Sequence, residues 1–242
     1  MDDPLIRLSF GNVAETYHRV RPPYSQTLLD HAQAQLELGS SARVLDLAAG
    51  TGRLTSELAQ RFEHVIAVEP NEAMRALISH GDVRAGAAEA IPVEDASVDA
   101  VFVGEAFHWF DAAAAIAEIA RVLRPRGGLA IVWVHWWETE PPLPAAALEL
   151  LSEPYLRFRA QRGARWDDAF VDSPFEPLQY RRLEDAVDVR RDELLELYST
   201  TSSLAALPHD ERNALFARVR PLLSDRYRLP TKSELTWTRL AR

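Results

Sequence analysis

The amino-acid sequence predicts an α/β fold in which a mostly parallel sheet has helices on both faces. Short apolar runs alternate with helical patterns from residue 43 to residue 134, which is typical of parallel strands joined by crossover helices. A turn with two closely spaced glycines follows the first apolar run and leads directly into a helical pattern. The 242 residues suit one such domain with additions at its ends.

Five strands and the helices between them are predicted in chain order. The strands are short apolar runs over residues 43–47, 64–68, 83–85, 98–103 and 128–134. Apolar residues that recur every three or four positions predict helices over residues 54–62, 71–78 and 112–123, with Asn71 as the N-cap of the second. The sequence Pro125-Arg-Gly-Gly128 predicts a turn before the fifth strand.

Two flanking regions complete the predicted single domain of residues 1–242. Residues 1–38 form an N-terminal helical lid that is interrupted at Pro22-Pro23, and residues 39–137 form the ligand-binding core. Residues 138–242 supply cap helices, starting at about Ala145, and a C-terminal β-hairpin. The hairpin strands are predicted over residues 178–189 and 234–240, with helices over 191–198 and 210–223 between them.

Composition limits the kinds of partner and site. The net charge of −9 disfavours binding to the phosphate backbone of a nucleic acid. The chain has no cysteine, and its histidines do not show metal-ligand spacing, so neither a disulfide nor a metal site is predicted. The longest apolar run, residues 129–134, is too short to cross a membrane, and the acidic N-terminus lacks a signal-peptide pattern. We therefore expect a cytoplasmic protein, either monomeric or homodimeric.

The segment Asp46-Leu-Ala-Ala-Gly50-Thr-Gly52 predicts a ligand-binding turn. Glycines at the end of a buried strand allow the backbone to approach a ligand closely, because they have no Cβ. Glu69 ends the next predicted strand, 19 residues after Gly50, where a carboxylate can accept hydrogen bonds from the hydroxyls of a ribose. The alternatives are an ordinary turn and a solvated acid, but the strand context of both features favours a nucleotide-like ligand.

Here the sequence resembles the class I methyltransferases that use S-adenosylmethionine (SAM), in the branch with the ubiquinone/menaquinone C-methyltransferases. Asp46, Gly50 and Gly52 match the first motif of the family, with Ala48 where the family often has glycine. The resemblance is specific over about residues 10–135. It continues through the segments 65–74, 86–92, 99–110 and 119–129.

The resemblance implies a seven-stranded sheet with an antiparallel last strand, and SAM lying across the carboxyl ends of the first two strands. Many members have aspartate where this chain has Ala87, so the backbone of Ala87 and Ala88 is expected to contact the adenine instead. The residues expected to bind SAM are Tyr17, Arg21, Asp46, Ala48, Gly50, Gly52, Glu69, Pro70, Ala87, Ala88, Glu89, Glu105 and Phe107.

Several of these roles have a structural alternative. Tyr17 and Arg21 resemble a segment that closes over SAM, where an arginine can pair with the methionine carboxylate, or they belong to the end of a surface helix. Glu89 either contacts the cofactor or caps a local turn.

The sequence Phe107-His108-Trp109-Phe110 lies where members of the family meet both SAM and the methyl acceptor. His108 is the candidate general base, because an imidazole titrates close to neutral pH, or it is a structural histidine that orients the loop. Glu105 is a second candidate base. The aromatic residues of this segment, including Trp109 as an expected acceptor contact, have a place in the core as their alternative. The sequence His135-Trp136-Trp137 either lines an apolar acceptor pocket or covers the edge of the sheet.

The predicted function is transfer of a methyl group from SAM to an oxygen, nitrogen or carbon atom of a small, partly apolar molecule. One alternative is a protein with this fold that binds SAM without transferring methyl, such as a regulator or a non-methylating cyclase. A less favoured alternative is a nicotinamide- or flavin-dependent oxidoreductase, because the turn is not of the Gly-x-Gly-x-x-Gly type.

Overall fold

The computed structural model describes residues 13–136, 141–158 and 166–241. The chain divides into two compact units. The sheet unit consists of Pro23–His135, Ala164–Leu183 and Lys232–Arg242, and the helix-rich unit consists of Met1–Pro22, Trp136–Gly163 and Glu184–Thr231. The first twelve residues of the predicted lid, and Trp137, lie outside the described residues.

A seven-stranded sheet has the strand order β3-β2-β1-β4-β5-β7-β6. The pairs β1–β2, β1–β4, β2–β3 and β4–β5 are parallel, and β5–β7 is antiparallel. The predicted fold class is therefore confirmed. The strands are β1 Arg43–Leu47, β2 His64–Val68, β3 Asp82–Arg84, β4 Val98–Gly104, β5 Leu123–His135, β6 Gln179–Arg190 and β7 Arg226–Arg239.

The described α-helices lie before and between these strands. They are α1 Ala14–Val20, α2 Gln26–Gln35, α3 Arg53–Ala59, α4 Glu72–Arg75, α5 Ala112–Val122, α6 Ala145–Phe158, α7 Arg191–Ser199, α8 Ser202–Ala205 and α9 His209–Val219. Short 3₁₀ helices occur at Phe107–Trp109, Trp166–Phe170 and Arg220–Leu222.

Both faces of the sheet are buried, which explains the continuous apolar runs of the central strands. Successive residues of a strand point to opposite faces, so Leu45 lies in one apolar cluster and its neighbour Val44 in another. The first cluster also contains Val101 and the second contains Phe102. Burial on both faces leaves the carboxyl ends of the parallel strands as the edge where loops can form a site.

Two local predictions differ from the structure. The helix predicted over residues 71–78 is limited to α4, although its N-cap is confirmed, since the side chain of Asn71 accepts a hydrogen bond from Met74 N. The predicted turn at residues 125–128 is wrong, because β5 runs through it. The register shifts there, and Arg126 adopts a φ of 65°, so the proline and glycines form a bulge in a strand.

The helix-rich unit has its own apolar core, which includes Trp136, Leu194 and Val219. Strands β6 and β7 are neighbours in the sheet, but residues 191–225 between them form α7, α8 and α9 rather than a tight turn. In the described part of the chain, no helix combines the length and the apolar character needed to cross a lipid bilayer.

Candidate functional site

The turn between β1 and α3 has a left-handed backbone at three positions. Gly50 has a φ of 57°, and Gly52, the N-cap of α3, has a φ of 80°. Ala48 also has a positive φ of 57°, which costs a residue with a Cβ about 1 kcal/mol. The turn therefore has the shape that glycine favours at all three positions, including the one where this chain has alanine.

Glu69 ties this turn to the end of β2. Glu69 is buried, with 5% of its surface exposed. Oε2 accepts a 2.9 Å hydrogen bond from Gly50 N, and Oε1 accepts a 2.8 Å bond from Asn71 N. Two backbone N–H groups from different loops thus orient the Glu69 carboxylate at the glycine turn.

Asp46 lies beneath the turn with no exposed surface. Its Oδ2 accepts a 2.6 Å hydrogen bond from Thr55 Oγ1, while Oδ1 has no hydrogen-bond partner within the residues that the structure describes. Burial raises the pKa of Asp46 to about 7, the negative charge of Glu69 adds to this effect, and the Thr55 hydrogen bond opposes it. A buried carboxyl of this kind is suited to an additional hydrogen-bond donor or a cation.

Pro70 lies on the surface after β2. Nη1 of Arg75 donates hydrogen bonds to the carbonyl of Pro70 at 3.0 Å and to that of Glu69 at 2.9 Å. The guanidinium of Arg75 therefore fixes the backbone immediately beyond the Glu69 carboxylate.

The segment expected to contact adenine follows β3. Ala87 and Ala90 form an isolated antiparallel bridge, and Ala88 is buried. Oε1 of Glu89 accepts a 3.0 Å hydrogen bond from the backbone N–H of Asp111, the N-cap of α5. Glu89 therefore joins this segment to the start of α5.

A second link joins α5 to the same segment. Oε2 of Glu118 accepts a 2.8 Å hydrogen bond from Ile91 N, and Nη2 of Arg121 donates a 2.9 Å bond to Ile91 O. Arg121 also donates to the carbonyl of Val93 and pairs with Glu118 at 2.7 Å. Both backbone groups of Ile91 are therefore held by one ion pair.

Glu105 lies where β4 ends beside β5. Its backbone has a φ of 60°, and its N–H donates a 3.0 Å hydrogen bond to Val132 O. Its Oε1 accepts a hydrogen bond from Val134 N. Just before it, a Cβ built on Gly104 would lie 2.4 Å from Oη of Tyr24, so glycine is required for this close approach.

The residues after β4 and at the end of β5 lie close together, because β4 and β5 are neighbouring strands. Phe107 is fully buried against Phe110 and Trp166, whereas His108 is exposed. We use the term aromatic cluster for five residues whose rings contact one another: His108, Trp109, Trp133, His135 and Trp166.

Tyr17, Arg21 and Trp136 belong to the helix-rich unit. The Arg21 guanidinium lies 4.7 Å from the centre of the Tyr17 ring and 5.7 Å from that of Trp136. It donates hydrogen bonds to Thr200 Oγ1 at 2.9 Å and to Thr200 O at 2.6 Å. Trp136 is 1% exposed and packs edge-on against Tyr198. Although His135 and Trp136 are adjacent in sequence, they belong to different units.

The sequence analysis did not single out four residues near the predicted site. Thr55 and Tyr24 contact Asp46 and Gly104 from separate elements, and Trp166 joins the aromatic cluster from a distant segment. Trp133 could have been found, because it lies two positions before His135 in a strand and therefore on the same face. Within the described residues, no three histidine, aspartate or glutamate side chains are grouped as a metal site.

Comparisons with known proteins agree with this geometry. Residues 45–131 match a family model described as a methyltransferase domain. An uncharacterized methyltransferase of Mycobacterium tuberculosis is 46% identical over 130 residues, which is 52% of each chain, so the match spans about half the length of that relative. An uncharacterized methyltransferase-like protein of Schizosaccharomyces pombe is 31% identical over 87% of this chain and 84% of its own.

The fold is also that of solved methyltransferases. A putative type II methyltransferase from Anaeromyxobacter dehalogenans has a TM-score of 0.64 at 24% identity, with 90% of this chain and 97% of the other covered. Sequence and fold therefore agree on one assignment. The chain belongs to the class I methyltransferases, the family that uses SAM as its cofactor.

Proposed function

We propose that this protein transfers a methyl group from SAM to a small, partly apolar molecule. The observation that carries the proposal is the buried Glu69 carboxylate, which receives the backbone N–H groups of Gly50 and Asn71 and so is fixed beside the glycine turn. A carboxylate oriented in this way at the end of β2 fits the two hydroxyls of a ribose.

The other residues of this edge fit the remaining parts of SAM. The buried Oδ1 of Asp46, which has no hydrogen-bond partner in the described part of the chain, suits the amino group of the methionine portion. The backbone of Ala87 and Ala88 suits the adenine, with Glu89 holding that segment to α5. SAM supplies a methyl group on a positively charged sulfur. The sulfur is the leaving atom when the electron pair of an acceptor atom forms a bond to the methyl carbon.

The acceptor is expected beside the ends of β4 and β5. The sheet order puts β4 next to β1, with Asp46 opposite Phe102, and puts β5 next to β4, with Phe102 opposite Ala130. The segment after β4 carries His108 and Trp109, and β5 ends at His135. Their rings offer apolar surface for the acceptor, and the exposed His108 can remove a proton from it.

Two measurements test the proposal together. Calorimetric titration with SAM is expected to show binding, and labelled SAM is expected to pass its methyl group to a member of a small-molecule acceptor panel. Glu69→Gln is expected to weaken SAM binding at least tenfold, because the amide cannot accept hydrogen bonds at both ends. Glu63→Gln is the matched control, since Glu63 is exposed and precedes β2 at its amino end.

The outcomes separate the possible functions. If millimolar SAM does not bind, the proposal is wrong. If SAM binds but no acceptor is methylated, a protein that binds SAM without transferring methyl becomes the better description.

A further inference from the structure

The aromatic cluster changes from buried to exposed across its members. Trp133 is 6% exposed, Trp109, His135 and Trp166 are half-buried, and His108 is exposed. Ring centres are 4.7 Å apart for His108 and Trp109, and 5.3 Å apart for His108 and Trp133. The cluster is thus anchored in the core by Trp133, and its more accessible members are two imidazoles and two indoles.

Both imidazoles contact the same indole. The His135 ring is stacked on Trp133 at 6.0 Å with an interplanar angle of 16°, and the His108 ring is tilted against Trp133 by 36°. Trp133 therefore fixes the positions of two potential proton acceptors at the ends of neighbouring strands β4 and β5. A solvated pair of histidines without such packing would not be oriented in this way.

From this arrangement we infer that the methyl acceptor is a small planar phenol, bound against the aromatic cluster with its hydroxyl facing His108; the inference rests on the proposed methyl transfer. Aromatic rings bind other aromatic rings at centre separations of about 4.5–7 Å, the range already found within the cluster. No member of the cluster carries a fixed positive charge, which would be expected for a phosphorylated or carboxylated acceptor.

The imidazole of His108 is the reason why we expect the acceptor to carry a hydroxyl group. A phenol is a weak nucleophile until its O–H bond breaks, and an imidazole, which titrates near neutral pH, can take that proton. The oxygen then forms a bond to the methyl carbon, the bond from that carbon to sulfur breaks, and sulfur keeps its electron pair. The products are an aryl methyl ether and the demethylated donor, and the histidine releases its proton to water.

An amine or an aliphatic alcohol fits less well. A neutral amine attacks through a free electron pair and needs no base before transfer. An aliphatic alcohol lacks the planar ring, and its hydroxyl is far less acidic than that of a phenol. A hydroxylated aromatic acceptor uses both the imidazole base and the aromatic surface.

The first experiment uses four related probes with SAM and the full-length protein. We expect methylation of 2-naphthol, with much slower turnover of 2-naphthylamine and decahydro-2-naphthol. Competitive inhibition by 2-methoxynaphthalene, which has the ring but no hydroxyl proton, is expected as well. The value of kcat/KM for 2-naphthol should rise with pH below neutrality and level off above it.

Variants separate the base from the binding surface. His108→Asn is expected to lower kcat on 2-naphthol about a hundredfold or more. The same variant should act almost normally on 4-nitrophenol at pH 8, because that acceptor is already largely ionised. Trp109→Leu, at a half-buried position, should raise KM for 2-naphthol several-fold and change kcat little. His64→Asn, at the exposed amino end of β2, is the matched control.

Each result bears on one of two conclusions. Methylation of 2-naphthylamine in preference to 2-naphthol, or failure of every phenol to bind or react with the SAM-loaded protein, overturns the phenol inference and leaves the proposed methyltransferase intact. Equal loss of activity on 2-naphthol and 4-nitrophenol in His108→Asn would show that His108 is not the base. Absence of SAM binding would instead remove the proposed function.

Discussion

Thr55 Oγ1 donates a 2.6 Å hydrogen bond to Oδ2 of Asp46, which has no exposed surface. This bond favours the ionised carboxylate, but burial disfavours it more strongly and raises the pKa of Asp46 to about 7. The side chain beneath the glycine turn can therefore change its charge close to neutral pH, which has consequences for stability.

The first prediction concerns the pH dependence of folding. The unfolded chain releases the Asp46 proton near pH 4, whereas the folded chain keeps it until about pH 7. Between these values the folded state binds more protons, so the contribution of Asp46 to the free energy of unfolding falls as pH rises from about 4 to about 7. In Asp46→Asn, the free energy of unfolding should therefore decrease by a few kcal/mol less over this pH range than in the unmodified protein. Urea denaturation at a series of pH values measures this difference.

The control for this experiment is Asp210→Asn, since Asp210 is fully exposed at the start of α9. Its pH profile should follow that of the unmodified protein. An Asp46→Asn profile that also follows it would show that Asp46 is ionised in the folded protein well below neutral pH.

The second prediction concerns Ala48, which has a φ of 57° in the glycine turn. Ala48→Gly should increase the free energy of unfolding by up to about 1 kcal/mol, because the left-handed backbone no longer strains a Cβ. SAM affinity should be retained, since the turn keeps its shape. Ala117→Gly, at an exposed position within α5, should instead lose about 1 kcal/mol. Destabilisation by Ala48→Gly would contradict the left-handed conformation at this position.

The third prediction concerns the close approach of Gly104 and Tyr24. A Cβ at position 104 would lie 2.4 Å from Tyr24 Oη and 2.9 Å from Cζ, so Gly104→Ala should cost about 1–3 kcal/mol in thermal or chemical denaturation. Adding Tyr24→Phe should recover part of that loss, because it removes the nearer atom.

Gly39→Ala is the matched control, since nothing lies within 4 Å of a Cβ built there. That variant should be neutral or slightly stabilising. Strictly additive effects of Gly104→Ala and Tyr24→Phe would mean that the two residues are not in contact.

The parts of the site that could be predicted are those fixed by local sequence. Asp46, the glycines and Glu69 lie at the ends of two strands that are close in sequence, and the carboxyl ends of parallel strands share one edge. The contact of Thr55 with Asp46 depends on how α3 rotates against β1, and no residue pattern determines that rotation. Trp166 reaches the aromatic cluster through long-range packing, which a single sequence does not specify.

The error at residues 125–128 has a different cause. Proline and paired glycines are typical of turns, but they are equally compatible with an irregular strand at a register shift. Local propensity could not decide between these structures, because the outcome depends on pairing of β5 with β4.

The fourth prediction concerns the ion pair of Glu118 and Arg121, which holds both backbone groups of Ile91 next to the segment expected to contact adenine. Arg121 donates hydrogen bonds to four residues at once, namely to the carboxylates of Glu118 and Asp95 and to the carbonyls of Ile91 and Val93. A lysine keeps the charge but lacks the planar fork, so it cannot replace all of them. Arg121→Lys should therefore weaken SAM binding several-fold and raise the KM for SAM, with little change in kcat.

The matched control is Arg124→Lys, because Arg124 is more exposed and pairs with Asp99 at the start of β4. Exposed ion pairs contribute at most about 1 kcal/mol, so this variant should bind SAM normally.

Inosine-containing SAM, which differs from SAM only in the base, provides a further check. If the ion pair acts by positioning the adenine segment, Arg121→Lys should reduce discrimination between the two cofactors, whereas a general loss of stability would weaken both equally. Unchanged SAM affinity and unchanged discrimination in Arg121→Lys would show that the ion pair supports α5 alone.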